Sequence, residues 1–293
     1  MAGFPKAPSY WYRTAWLSSV PMSDAGRPPV PNSSATVHLV ETWLPPSPPA
    51  TSRVVHVYTN APAAALRVNG ALVGLAAVPA FGWATFSGVN YSAGTLSAEA
   101  LAADNATVLA ATAKHSFGAP SALVLSIDAP SLATGTGRAL YLDGADVALL
   151  RAEVVDAAGH RVEDAVVNVT FAVTAGPGLV VGCSNGDPAN QDPNQAPWKP
   201  AYHGLVRAIV RATLDAASPP AVRAARLAME LDAGKGPRSS TTLPAGGAPP
   251  AALTVTASAP GLPAASISIP LSVDPADEPL AVAAASVAAA DLG

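Results

Sequence analysis

Short apolar runs separated by turn-forming residues recur along the chain from Val37 to Ile127. In Arg53–Thr59, apolar and polar residues alternate with the period of a half-buried β-strand. Asn69-Gly70 stands between two apolar runs and favours a tight hairpin, because both of its residues accept a positive φ. Runs about 8 to 12 residues apart predict an antiparallel β-sandwich of short strands. The predicted strands are Val37–Trp43, Arg53–Thr59, Ala65–Val68, Ala71–Gly74, Trp83–Val89, Thr95–Leu101, Val108–Lys114 and Ala122–Ile127.

The same pattern resumes near Ala129 and predicts a second sandwich. The strand Val147–Val155 ends at Asp156–His160, whose Asp and Gly residues are typical of a turn. In Val167–Val173 the apolar residues share one face, and Asn168 lies on the opposite face. Further strands are predicted at Leu179–Val181, Leu205–Arg211, Leu253–Ala257 and Ser266–Val273.

Aromatic residues are concentrated near the N-terminus. The residues that are spaced to gather on one side of a short helix are Tyr10, Trp11, Tyr12, Trp16 and Leu17. So many large side chains need a surface to pack against. We expect either a helix that docks on the sandwich that follows or the last helix of a larger domain.

These patterns divide the chain into four regions. Residues 1–33 are expected to hold the helical remnant and a linker, residues 34–128 the first sandwich, and residues 129–275 the second. Residues 213–252 are rich in Ala, Pro, Gly and Ser, which predicts a mobile surface insertion within the second sandwich. The Ala-rich residues 276–293 are expected to form a frayed tail.

Composition favours thin sandwiches over one large core. Of the 293 residues, 50% are hydrophobic but only 5% are aromatic, so alanine and valine fill much of the core. The 30 prolines disfavour long helices.

Every stretch of about 18 residues contains helix breakers or polar residues, so we expect no membrane partner. The 16 basic residues are scattered and are outnumbered by 20 acidic ones, which argues against nucleic acid as a partner and is compatible with neutral sugars.

Metal and cofactor chemistry finds little support in the sequence. Cys183 is the single cysteine, so an intrachain disulfide and a cysteine metal site are excluded. Because it follows an apolar run, we interpret it as an inert small hydrophobe rather than a reactive thiol. The five histidines lack the spacing of metal ligands. We therefore expect no metal and no cofactor.

Four N-glycosylation sequons begin at Asn32, Asn90, Asn105 and Asn168. Short sequons also arise by chance, so they give only slight support to a secretory or extracellular origin. The N-terminus has no basic and apolar signal region, so we expect any signal peptide in an upstream part of the protein.

Candidate chemistry is concentrated in a polar stretch after an apolar run. Asn185-Gly186-Asp187-Pro188 opens this stretch, and Tyr202-His203-Gly204-Leu205 closes it. The pattern predicts a strand, a loop of functional length and a second strand. Its Asn and Asp oxygens suit calcium, although their spacing does not fit an EF-hand. We favour turns in which these residues bond their own backbone; a calcium site and the border of a sugar site in a neighbouring barrel are the alternatives.

Trp198 and His203 add flat rings to the same stretch. Sugar rings stack on aromatic side chains through their apolar C–H faces, although packing between domains is the interpretation we favour for Trp198. The candidate carbohydrate contacts are therefore Asn185, Asp187, Trp198 and His203.

No catalytic residues are predicted. A retaining glycosidase needs two carboxyl groups about 5 Å apart. Glu153 and Glu163 flank a hairpin, but we favour solvated cross-strand positions for them. No Gly-x-Ser-x-Gly elbow accompanies the serines, so a hydrolase triad is not expected. The glutamates are Glu41, Glu99, Glu153, Glu163, Glu230 and Glu278.

Three places in the chain resemble the C-terminal part of glycoside hydrolase family 2, the β-galactosidase-like enzymes. They look like the end of the catalytic barrel, the immunoglobulin-like domain after it and the next sandwich. Their order and spacing agree with the family over most of the chain. In chain order they are Ala2–Lys6 with Tyr10–Arg13, Val57–Asn60 with Leu66–Gly70, and Asn185–Pro188 with Tyr202–Leu205.

The resemblance implies an all-β chain of two tandem immunoglobulin-like antiparallel β-sandwiches with a short N-terminal helical remnant. In the family both catalytic glutamates lie in the barrel, so neither is carried over to a residue here. We expect a non-catalytic region that braces an upstream barrel, rims its substrate cleft or supports oligomer contacts in carbohydrate metabolism. The alternatives are a free-standing carbohydrate-binding or adhesive surface module, and an enzyme in its own right.

Overall fold

The computed structural model describes residues 3–17, 35–45, 52–132, 137–142, 146–213 and 252–272. Most of the predicted linker and insertion, the whole predicted tail, and Asn32 lie outside the described residues. The chain divides between Phe117 and Gly118 into two compact units.

In the ranges that the structure describes, the first unit is an antiparallel sandwich of seven strands preceded by one helix. One sheet has the strand order β1-β2-β5 and the other β4-β3-β6-β7. The elements are α1 (Ala7–Trp16), β1 (Val37–Leu39), β2 (Arg53–Thr59), β3 (Ala63–Val68), β4 (Ala71–Ala77), β5 (Ala84–Val89), β6 (Thr95–Leu101) and β7 (Val108–His115).

The hairpin predicted at Asn69-Gly70 is confirmed. Asn69 has φ 51° and Gly70 has φ 83°, and they join β3 to β4. Positive φ at both central residues gives the turn a twist that matches the twist of the two strands. The dipeptide therefore sets the pairing next to the turn, Val68 with Ala71 and Arg67 with Leu72, and the register shifts by one residue beyond Arg67.

A buried indole fills the core of the first unit. Trp43 packs in a cluster with residues of both sheets, among them Val57 and Leu96. Its Nε1 donates to the Ser92 carbonyl oxygen at 3.0 Å. The guanidinium of Arg53 lies 5.3 Å from the centre of the indole and donates to backbone carbonyls on either side of it. Trp43 is therefore held by hydrogen bonds as well as by its packing.

Helix α1 docks on the first sandwich through one face only. The ring of Tyr10 stacks on His38 with centroids 3.7 Å apart and an angle of 4° between the planes. Thr14, one turn further on, is buried. Tyr12 and Trp16, by contrast, are 50% and 78% exposed. The expectation that all the aromatic residues lie on one side is wrong, because about 3.6 residues per turn place positions 12 and 16 opposite position 10.

His38 is expected to make this docking sensitive to acid. Burial, and secondarily the positive charge of Lys114, lower the pKa of His38 from 6.5 to about 4. Between pH 4 and pH 6.5 the unfolded chain binds more protons than the folded chain. The free energy of unfolding therefore decreases as the pH falls from 6.5 towards 4. We expect the melting temperature to fall by about 3 °C more between pH 7 and pH 5 in the native chain than in His38→Phe. The phenylalanine keeps a ring against Tyr10 but does not titrate, so equal falls in both proteins would contradict the prediction.

The described residues of the second unit form nine strands in two sheets. One sheet has the order β12-β14-β10-β8 and the other β13-β11-β15-β16-β9, in which β9 and β16 form the single parallel pair among the described strands. The strands are β8 (Ala122–Ala129), β9 (Leu140–Tyr141), β10 (Val147–Val155), β11 (Asn168–Ala175), β12 (Gly178–Ser184), β13 (Trp198–Pro200), β14 (Leu205–Ala212), β15 (Ala252–Ala259) and β16 (Leu262–Ser272).

Strand β8 lies in a different sandwich from the one expected. The sequence pattern makes it the last strand of the first sandwich, but it pairs along its length with β10 of the second unit. Hydrophobic alternation indicates that a segment is a strand and not which strand it pairs with. β8 forms one edge of the four-stranded sheet, next to β10.

The two-faced pattern of β11 is confirmed. Val169 and Phe171 are buried, whereas Asn168 and Thr170 on the opposite face are exposed. Asn90 and Asn105, which begin two further sequons, are also exposed. All three described sequon asparagines are therefore at the surface.

The turn predicted at Asp156–His160 is also confirmed. The buried carboxylate of Asp156 accepts hydrogen bonds from the backbone N–H of Gly118, Ala158 and His160 at 2.8 to 2.9 Å. These bonds, the one from Gly118 foremost, lower the pKa of Asp156. The Asp156 side chain thus stabilises the turn through Ala158 and His160 and holds Gly118, the first residue of the second unit after Phe117, in place.

The predicted fold class is confirmed: the described residues form antiparallel sheets packed as sandwiches, with one short helix. None of the helices in the described ranges is long and apolar enough to cross a membrane.

Candidate functional site

The predicted site lies where β12, β13 and β14 are joined. Residues 185–197 connect β12 to β13, and a tight turn connects β13 to β14. All four predicted contacts lie between Asn185 and His203. The side chain of Asn185 ties the start of the first connection to the end of β13, since its Nδ2 donates to the Pro200 carbonyl oxygen at 2.9 Å.

Asn185 and Asp187 form successive turns at the start of the longer connection. The Oδ1 of buried Asn185 accepts the Asp187 N–H at 3.0 Å, and the Oδ1 of Asp187 accepts the Ala189 N–H at 2.9 Å. Short polar side chains that bond the backbone two residues on are typical of such turns. This is the backbone bonding favoured from the sequence.

The centre of the connection is organised by a buried lysine that the sequence analysis did not single out. Lys199 is 1% exposed, and its Nζ donates to Asn190 Oδ1 at 2.6 Å and to the Asp192 carbonyl oxygen. Asn190 in turn donates from Nδ2 to Asp192 Oδ2 at 2.7 Å. A buried ammonium needs such acceptors, because an ion without them loses its hydration and gains nothing in return. Lys199 therefore holds the shape of the loop that carries Asp187.

The connection folds back on β12 at a glycine. The Cys183 N–H donates to the Asn194 carbonyl oxygen at 2.8 Å. A Cβ at Gly182 would lie 2.1 Å from the same oxygen, so this approach requires glycine. The neighbouring Cys183 is buried, and burial raises the pKa of its thiol to about 12. The thiol is protonated at neutral pH, which confirms its interpretation as an inert side chain.

The turn before β14 presents an exposed imidazole. His203 has φ 50° and is exposed, and its ring lies 4.4 Å from that of Tyr202 at an angle of 75°. Gly204 follows with φ 72°, and a Cβ there would lie 2.6 Å from the Val162 carbonyl oxygen. The tight packing behind Gly204 keeps this turn in one conformation, with His203 on the outside.

Trp198 occupies a short edge strand. It is half-buried, and its backbone pairs with that of Thr170 in β11. Trp198 and His203 thus lie at opposite ends of the segment that joins the 185–197 connection to β14.

Each glutamate in the described ranges lies next to a basic side chain. Glu41 Oε1 is 2.6 Å from His56 Nδ1, and Glu99 Oε2 is 3.2 Å from Arg67 Nε. Glu153 and Glu163, the pair considered from sequence, lie 3.4 and 3.2 Å from the guanidinium groups of Arg151 and Arg161. Among the described residues, no three or more His, Cys, Asp and Glu side chains are placed to hold a metal ion.

A carboxylate between two arginines was also missed from the sequence. Asp128 accepts from Arg151 at 2.9 Å and from the buried Arg207 through its other oxygen. These residues belong to β8, β10 and β14, which are neighbours in one sheet. The cluster ties three strands together, and no sequence spacing links Asp128 to a residue 79 positions away.

Two protein-family models match parts of the chain. Residues 133–226 match glycoside hydrolase family 2 C-terminal domain 5. Residues 51–109 match a domain of unknown function, DUF4982. The first match covers strands β9 to β14, including the candidate site.

A curated protein and several solved structures are similar to this chain. A β-glucuronidase of Formosa agariphila is 32% identical over 181 residues, which are 61% of this chain and 17% of that protein. The crystal structure of a β-glycosidase from Bacteroides vulgatus has a TM-score of 0.65 and 18% identity, over 92% of this chain and 27% of the other. A glycosyl hydrolase family 2 member from Bacteroides cellulosilyticus has a TM-score of 0.64 and 21% identity, over 92% of this chain and 31% of the other. The chain thus spans about a sixth to a third of the length of these proteins. The two solved structures share its fold, and the family-model match supports the resemblance to the C-terminal region of glycoside hydrolase family 2.

Proposed function

We propose that this chain, which carries the C-terminal region of a glycoside hydrolase family 2 protein, is a non-catalytic sandwich region that braces the catalytic barrel of the family. The observation that carries the proposal is the second aromatic face of α1. Tyr12 and Trp16 lie one turn apart, with ring centres separated by 5.8 Å, and both are exposed while Tyr10 and Thr14 pack on the sandwich. Exposed aromatic pairs of this kind are typical of interfaces.

The position of α1 supports the barrel as the structure that covers this face. The helix precedes the first sandwich, and its sequence resembles the end of the family's barrel. Its C-terminal end is fastened to the sandwich, since Asn60 Nδ2 donates to the Leu17 carbonyl oxygen at 2.7 Å. A helix that packs on the sandwich with one face and on the barrel with the other would fix the position of the sandwich relative to the barrel.

The candidate site extends the proposal to the rim of the substrate cleft. We infer that Asp187, Trp198 and His203 border the sugar bound by the barrel, and that the buried Asn185 holds the loop in place rather than touching the sugar. The buried Lys199 and the glycine contacts support this role, because they hold the polar and aromatic groups in one arrangement before any ligand binds. In a protein with the barrel present, His203→Ala would then raise KM and leave the melting temperature unchanged.

The experiment begins with the transcript upstream of the Met1 codon and the protein it encodes. We expect a reading frame that continues into a barrel with two glutamates at strand ends. In that longer protein, Trp16→Ser should lower the melting temperature and the glycosidase activity. Val166→Ser is the matched control, because Val166 is equally exposed, at 78%, but lies in the second unit.

Three outcomes would overturn the proposal. One is a transcript without a barrel, and another is an equal effect of Trp16→Ser and Val166→Ser. The third is release of nitrophenol from nitrophenyl β-glycosides by the purified 293-residue chain, which would make the chain an enzyme by itself. Binding of the purified chain to a glycan array, lost in Trp198→Ala, together with the absence of a barrel, would favour a free-standing carbohydrate-binding module.

A further inference from the structure

A row of aromatic rings crosses the outer face of the sheet β1-β2-β5. It runs from Tyr10 on α1 through His38 on β1 and Tyr58 on β2 to Trp83, which directly precedes β5. Successive ring centres are 3.7, 6.4 and 6.1 Å apart. Helix α1 covers the first end of the row, where Tyr10 stacks on His38. At the other end Trp83 is 45% exposed, so the row ends in an uncovered indole.

Polar side chains lie beside the uncovered rings. His56 is two residues from Tyr58 on β2 and therefore shares its face, and its ring centre is 6.4 Å from that of Trp83. Thr85 on β5 is exposed and pairs in register with His56. Two rings thus lie next to two hydrogen-bonding side chains, and none of the four is a lysine, an arginine or a carboxylate. We call these four residues, His56, Tyr58, Trp83 and Thr85, the β2–β5 patch.

Glu41 holds the His56 ring in one orientation. Glu41 Oε1 lies 2.6 Å from Nδ1 of the ring, and Oε2 accepts the backbone N–H of His56 at 2.7 Å. An ionised carboxylate only accepts, so Nδ1 carries the hydrogen and Nε2 of the neutral ring is an acceptor. Among the residues that the structure describes, none bonds Nε2, and the side chain is 35% exposed. The patch therefore combines a fixed hydrogen-bond acceptor with an exposed indole.

We propose that the β2–β5 patch binds a neutral sugar, whose pyranose ring lies flat on Trp83 and donates a hydroxyl hydrogen to His56 Nε2. A pyranose has an apolar C–H face that packs on an indole and hydroxyl groups around its edge, so one ligand satisfies both halves of the patch. A purely apolar ligand would cover the His56 acceptor without supplying a donor. An anionic ligand would be repelled by the Glu41 carboxylate behind His56.

The turn before β5 adds a further exposed ring. Phe81, two residues before Trp83, is 48% exposed and has φ 57°. Bulky residues rarely adopt a positive φ, and strained positions of this kind are concentrated at ligand sites. Phe81 would serve a second sugar of a longer glycan. This inference depends neither on the barrel nor on the candidate site between Asn185 and His203.

Calorimetric titration of the purified 293-residue chain with cellohexaose, xylohexaose and mannohexaose tests the proposal. We expect binding of at least one of these neutral glycans and none of the anionic hexagalacturonate. Trp83→Ala should weaken binding about 10-fold or more because the stacking surface is lost, and Trp83→Phe, which keeps a flat ring, should retain part of it. His56→Leu removes one hydrogen bond and should weaken binding about 5-fold.

Trp16→Ala is the matched control, because Trp16 is also an exposed tryptophan, at 78%, and lies outside the patch. Its variant should bind like the native chain, and circular dichroism should show that Trp83→Ala remains folded. A measurement on the native chain supplements the variants: on addition of the bound glycan, the NMR signals of the Trp83 indole N–H and the Thr85 amide should shift.

Three results would overturn the proposal. One is the absence of binding of all three neutral glycans at millimolar concentrations. Another is an equal loss of binding in Trp16→Ala and Trp83→Ala. The third is binding that Trp198→Ala abolishes and Trp83→Ala leaves at the native level, which would assign the sugar to the candidate site between Asn185 and His203 instead.

Discussion

Replacing Trp43 with alanine should cost the first sandwich about 3 to 5 kcal/mol of unfolding free energy. The indole is fully buried among residues of both sheets and donates a hydrogen bond to Ser92. Its removal leaves a large cavity in a core filled mainly by alanine and valine, which are too small to close over the gap. Domains have a total stability of about 5 to 15 kcal/mol, so this loss should unfold much of the first unit at modest denaturant concentrations.

Urea unfolding followed by circular dichroism measures the effect of Trp43→Ala. Trp43→Phe retains a buried ring but not the donor to Ser92, and should lie between the native chain and the alanine variant. Trp83→Ala removes an indole that is exposed at 45% and should change the unfolding free energy much less. If Trp43→Ala and Trp83→Ala cost the same, Trp43 does not have the central role in the core that its burial indicates.

Replacing Lys199 with methionine should release the loop that carries the candidate site. The methionine keeps much of the side-chain volume, but Asn190 Oδ1 and the Asp192 carbonyl oxygen lose their charged donor. Hydrogen bonds to charged groups contribute about 1.5 to 3 kcal/mol each, and the apolar replacement recovers part of this because no charge is buried. A net local loss of about 2 kcal/mol corresponds to roughly 30-fold faster hydrogen exchange.

The amide of Cys183 reports this release directly, because it donates to Asn194 in the loop. Its exchange should accelerate in Lys199→Met, while amides in β2 of the first unit exchange at the native rate. Lys6→Met, which changes an exposed lysine, is the control and should leave the Cys183 amide unchanged. Unchanged exchange of this amide in Lys199→Met would show that the loop does not depend on the buried ammonium.

Local features of the fold could be predicted from the sequence because they have local causes. Asn69-Gly70 specifies its hairpin by the conformations its two residues accept, and Asp156 specifies its turn by bonds to residues within four positions. The two faces of β11 follow from alternation alone. The structure of such elements is determined by residues within the element itself.

Features that depend on distant partners could not be predicted. Nothing in the pattern of β8 indicates that it pairs with β10 rather than with a strand of the first sandwich. The helical period places Tyr10 and Trp16 on opposite faces of α1, but which of the two faces packs on the sandwich depends on what the helix touches. Lys199 reads as an ordinary surface lysine until the fold places Asn190 and Asp192 around it.

The candidate site lies between these cases. Asn185 and Asp187 were identified because turn-forming residues after an apolar run are visible in the sequence, and they do form turns. Their role as sugar contacts stays a prediction, since it depends on groups that a neighbouring barrel would supply. The buried cluster of Asp128 with Arg207 was missed because its members are far apart in the chain.

The strand order of the second unit has a consequence for synthesis on the ribosome. Of the four strands in the sheet β12-β14-β10-β8, β14 is translated last. It nevertheless lies in the middle of the sheet, where it pairs with β12 on one side and β10 on the other. A nascent chain that stops before β14 therefore leaves Leu179–Val181 and one edge of β10 without their partner strand. Premature termination in this region should yield products that chaperones bind and proteases degrade, while the first unit, complete at His115, has already folded.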